Sequence, residues 1–131
     1  MKKIAHTILR VLLGLLIASP ILGALGIFPA PTPDLYNTPE AYNFIKSLYD
    51  GGYMMYMMAG VFFIALGLTI TNRMALAALL ILPISVNIIA FHAFLDGGLF
   101  TAGAIMGNVL FLITIYFMWV HRSQYKTLLE K

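Results

Sequence analysis

Four stretches of this chain carry no Asp, Glu, Lys or Arg, and each is longer than the roughly 20 residues a helix needs to cross a bilayer core. They run from Val11 to Pro33, Gly51 to Asn72, Met74 to Leu95 and Gly97 to His121. A segment alone in lipid must satisfy its own backbone, so a helix is the natural conformation. None of the four alternates polar and apolar residues, which sets a barrel strand aside. Spans are expected at about 8–28, 52–71, 74–95 and 100–120. Only 10% of the residues are charged and the mean hydropathy is +0.92, far outside the soluble range. The expected fold class is therefore all-α: an integral membrane, antiparallel four-helix bundle forming a single domain over residues 1–131.

The charged residues then set the orientation. Four spans place the N-terminus, the middle turn and the C-terminus on one side. That side carries Lys2, Lys3, Arg10, Arg73, Arg122, Lys126 and Lys131 against one acid, Glu130. The other carries Asp34, Glu40, Asp50 and Asp96 against Lys46. Basic residues concentrate on cytoplasmic loops, so both termini are expected in the cytoplasm. Tyr36, Tyr42, Tyr49, Tyr53 and Tyr56 cluster at the expected outer interface, and Tyr116 and Trp119 near the inner one, as amphipathic rings prefer. The basic residues form no stripe, so no nucleic-acid partner is expected. The first stretch has the basic start of a signal peptide, but Arg10 delays its apolar run and no A-x-A site follows, so it reads as a retained span.

The one long connection precedes the second span. Pro29, Pro31 and Pro33 stiffen its start. Thr38-Pro39-Glu40 then supplies an N-cap, a proline at the first helical position and an acid in the first turn. Ala41, Phe44, Ile45 and Leu48 follow at helical spacing. A short amphipathic helix is expected over about 39–49, lying on lipid or folding over the bundle mouth. Asp50-Gly51-Gly52 makes a flexible joint into the second span.

Several segments, in order, resemble the DoxX and DoxX-like family of small bacterial membrane proteins. They are RVLLGLL from Arg10 to Leu16, PEAYNFIKSLYDGGY from Pro39 to Tyr53, the turn Thr71-Asn72-Arg73, and PISVNIIAFHAFLD from Pro83 to Asp96. The resemblance covers nearly the whole chain and implies a four-helix protein of the bacterial inner membrane. Some relatives are linked to redox systems, including subunits of a thiosulfate:quinone oxidoreductase. Many relatives place an Asn and a second polar residue late in the first span, where this chain has Gly23 and Ala24. Chemistry resting on that pair is not carried over.

Polar side chains inside a span are costly and mark candidate sites. Asn87 and His92 lie in the third span, and five residues turn a helix by about 140°, so they do not share a face. Ser85 shares the face of His92, and Asp96 follows His92 by one turn and can pair with it on the helix surface. Such a carboxylate favours the imidazolium form and poises a proton acceptor at the outer mouth. Asn87 has two readings: an interhelical bond or backbone contact near Pro83, or a ligand site. Arg10 likewise reads as a snorkelling anchor, or as a binder of an anionic headgroup closing the inner mouth. The tentative ligand set is Asn87, His92, Arg10 and Ser85.

Met54, Met55, Met57 and Met58 suit gap-filling, with a Cu(I) site beside His92 as the alternative. Gly103 and Gly107 form a G-x-x-x-G step with Asn108 beside it, expected to pack helices closely within the chain or in a homo-oligomer. Pro20 and Pro83 kink their spans and open room between helices for an apolar ligand. There are no cysteines, no phosphate-cradling glycine loop, no H-E-x-x-H spacing and no Ser-His-Asp set. No catalytic residue and no metal site is expected.

Three functional readings follow. One is an accessory or anchoring subunit beside redox-protein partners, with a quinone or other lipid near Asn87 and His92. The second is a stand-alone carrier or binding protein for a small hydrophobic molecule. A purely structural membrane protein is the third reading.

Overall fold

The computed structural model describes residues 1–130 and is helical throughout its regular structure. In chain order the helices are α1 (Lys2–Ala24), α2 (Pro39–Gly51), α3 (Tyr53–Ile70), α4 (Met74–Phe94), α5 (Ala104–Val120) and α6 (Arg122–Leu129), with a single 3₁₀ turn at Pro33–Leu35 before α2. Three of them, α1, α3 and α4, are long and apolar enough to cross a membrane. α5 joins them only when it is counted with α6, from which it is bent by 71°.

The first span ends earlier than expected, at Ala24 rather than near Phe28. The apolar run continues, but Gly26 takes the left-handed conformation (φ 75°). Its N–H bonds the Gly23 carbonyl while that of Ile27 bonds Leu22, which closes the helix in a Schellman motif. α3 stops in the same way: Asn72 is left-handed (φ 60°), and the Asn72 and Arg73 N–H groups return to Thr69 and Leu68. α5 begins at Ala104, later than the expected start of the last span near 100. Gly97 and Gly98 at positive φ turn the chain, and Asn108 Nδ2 donates to the Leu99 carbonyl at 2.6 Å, holding the segment before α5 as a turn. The surface helix starts where Thr38 directs it, because the Thr38 hydroxyl accepts the Ala41 N–H at 3.1 Å.

The four long helices pack in a ring: α1 on α3, α3 on α4, α4 on α5, and α5 back against α1. Leu13 and Ile17 of α1, Phe62 and Ala65 of α3, Ala78 and Ile81 of α4, and Leu110 and Phe117 of α5 fill its centre. The outside is equally apolar, with Leu15, Phe63, Val86 and Leu112 all exposed. The polar segment after α5 forms α6. It turns back under the ring, and Tyr125 Oη donates to the Ala75 carbonyl at the start of α4 (2.7 Å).

Candidate functional site

The ring leaves a groove of about 380 Å³ between α2, α3 and α4. Phe44, Ile45 and Leu48 from α2 form one wall, and Met54, Met57 and Met58 from α3 form another. Pro83, Ile84, Ile88 and Phe91 come from α4. Pro83 sets this wall within the helix, since its ring cannot donate a backbone bond and crowds the preceding turn. Asn87 is the only polar side chain on the lining. Asn87 is exposed and its carboxamide makes no hydrogen bond among the described residues, whereas Ser85 is buried and donates to the Leu82 carbonyl of its own helix at 2.9 Å. The groove thus combines flexible thioethers, two aromatic rings and one free group that both donates and accepts.

His92 is not part of this groove. It faces α5, where added Cβ atoms at Gly103 and Gly107 would each lie 3.6 Å from the imidazole ring. The pairing with Asp96 forms, Nδ1 to Oδ2 at 2.9 Å, but not on the surface as expected from the sequence. Asp96 is 2% exposed and His92 9%. Two things bury the pair: the glycine edge of α5 on one side, and the segment leading into α2 on the other. The Asn37 N–H donates to Asp96 Oδ1 at 2.8 Å, Asn37 Nδ2 donates to the Asp96 carbonyl at 3.2 Å, and the Thr38 hydroxyl donates to the Leu95 carbonyl. Tyr36 packs edge-on against Phe91, and burial, with Asp96 nearby, pushes its phenol above the usual range.

The sequence-selected residues therefore separate into three places. Asn87 lines the groove. Ser85 and His92 are buried against neighbouring helices, His92 tied to Asp96. Arg10 is at the opposite end, donating to Asn72 Oδ1 at 2.8 Å and so tying α1 to the turn between α3 and α4. Asn87 and His92 are thus not brought together, and His92 is absent from the lining that carries Met54, Met57 and Met58. The α2 wall of the groove is not among the expected site residues, although the helical spacing of Phe44, Ile45 and Leu48 marks the apolar face that forms it.

The glycine step faces inward. A Cβ at Gly107 would come within 2.6 Å of Ile88 Cγ2, so that surface is occupied by α4. At the end of the ring where α1 begins and α5 stops, His6, Tyr116, Phe117 and His121 make an aromatic cluster, with the His6 and His121 centroids 6.1 Å apart.

No protein-family model matches the chain, and no curated protein or solved structure matches it.

Proposed function

We propose that this is a four-span protein of the bacterial inner membrane that binds a small hydrophobic molecule in the groove beneath α2, with Asn87 as its polar contact. The Asn87 carboxamide, exposed on an otherwise apolar lining, carries this reading. Within a hydrocarbon layer an unsatisfied polar group costs several kcal/mol, so a side chain left free on an apolar groove is poised for a partner. The groove falls in the lower part of the size range of small-molecule sites, which are apolar with few polar groups. The apolar exterior of the ring and the excess of basic residues on one side support the membrane placement and the cytoplasmic termini.

The ligand class is an apolar ring or chain bearing a carbonyl or hydroxyl, of which a quinone is one member. A site contained within one chain favours the binding-protein reading over that of an accessory subunit of a redox complex. The test is thermal stability of the purified protein with a short-chain benzoquinone and with the matching alkylbenzene. Stabilisation by the quinone, weakened in Asn87→Leu, is expected. Equal shifts in wild type and Asn87→Leu contradict the role of Asn87.

A further inference from the structure

We infer that α2 is a hinged lid over the groove, held shut at its N-terminal end by the buried carboxylate of Asp96. This inference concerns access and rests on the reading of the groove as a binding site. Asp96 Oδ1 accepts the Asn37 N–H while its own backbone carbonyl accepts the Asn37 side chain. The Thr38 hydroxyl caps α2 through Ala41 and simultaneously donates to the Leu95 carbonyl. One residue thus joins the helix start to the end of α4. Gly97 closes the junction: at φ 83° its added Cβ would lie 3.3 Å from Asn37 Cβ.

The far end of α2 is built differently. It runs through Gly51 into Gly52, whose φ of 73° lies in the region glycine adopts freely, and α3 begins at the next residue. Between latch and joint, α2 meets the groove through apolar contacts, including the stacked rings of Phe44 and Phe91 with centroids 6.0 Å apart. Its opposite face is polar, with Glu40, Asn43, Lys46 and Asp50. A helix fixed by a few polar bonds at one end, jointed by glycine at the other and greasy underneath moves as a flap when the bonds open. His92 positions the latch, because its Nδ1 holds the second oxygen of Asp96.

The chain has no cysteine, so a single introduced thiol reports access without any ligand. Met58→Cys places the thiol on the groove lining and Ser47→Cys places a reference on exposed α2. Labelling by a water-soluble maleimide is followed in liposomes for the full chain, with and without Asp96→Ala or Thr38→Val. The lid account expects each latch change to speed labelling at position 58 by about fivefold or more, the scale of one lost hydrogen bond, and to leave position 47 unchanged. Thr38→Val decides the matter if Asp96→Ala does not fold. Unchanged rates at position 58 in a folded variant overturn the lid, as does an equal rise at both positions, which is α2 unravelling. Neither result bears on whether the quinone stabilises the protein.

Discussion

Gly107 and Ile88 meet so closely that α4 and α5 leave no room for a methyl group between them: a Cβ at 107 would lie 2.6 Å from Ile88 Cγ2. Gly107→Ala must therefore push Ile88 or separate the helices, at a cost of about 1–3 kcal/mol. Trimming the neighbour in Ile88→Ala should recover part of that loss, so the double variant costs less than the two single changes added. Gly103→Ala meets only ordinary contacts at 3.5 Å and should cost less than about 1 kcal/mol. Melting of the four variants in one detergent checks all three statements. Equal losses at 103 and 107 contradict the packing described.

The Arg10–Asn72 bond separates two roles of one asparagine. Asn72→Gly keeps the left-handed turn and loses only the acceptor, a loss of about 1 kcal/mol or less at this exposed position. Asn72→Ala adds the steric penalty of φ 60°, about 1–2 kcal/mol more. Arg10→Gln should match Asn72→Gly in size and add nothing to it when the two are combined. Additive losses indicate that Arg10 acts elsewhere.

A pH dependence arises where α5 breaks into α6. Burial, and then neighbouring His6, hold the His121 imidazole below its ordinary 6.5. The unfolded chain therefore takes up this proton before the folded protein does. The contribution of His121 to stability is whole above pH 6.5 and is lost as the pH falls through the lowered folded value. Melting temperatures taken from about pH 8 down to about pH 5 should decline below 6.5, and His121→Gln should flatten that part of the curve. A decline of the same size in the variant assigns it to other groups.

Much of this architecture is legible in the sequence because its causes are local. Charge-free length places α1, α3 and α4, and Thr38-Pro39 starts α2 at the observed residue. The helix period alone separates Asn87 from His92. Which neighbour each one faces is not legible, because α3 and α4 are apolar all round and their sequence gives no inward stripe. The burial of Asp96 is equally hidden: its partner Asn37 lies 59 positions away, and the bond depends on backbone atoms that any residue carries. α6 is not legible either, because its short, strongly polar sequence resembles a solvated tail, and its tertiary bond from Tyr125 reaches 50 positions back to Ala75.

The proposed orientation can be checked in cells. A reporter fused after Lys131, which lies outside the described residues, should report from the cytoplasm. One inserted beside Tyr36 should report from the opposite face. The reverse pattern contradicts the assignment of the basic side, and a cytoplasmic signal from both positions contradicts the span between them.

The central claim is that the groove holds an apolar molecule through Asn87, and native mass spectrometry of gently extracted protein tests it most directly. Wild-type protein is predicted to carry an added mass distinct from bulk phospholipid, and Asn87→Leu, inserted and assembled to the same extent, is predicted to lose it. An identical set of bound masses on both proteins contradicts the claim.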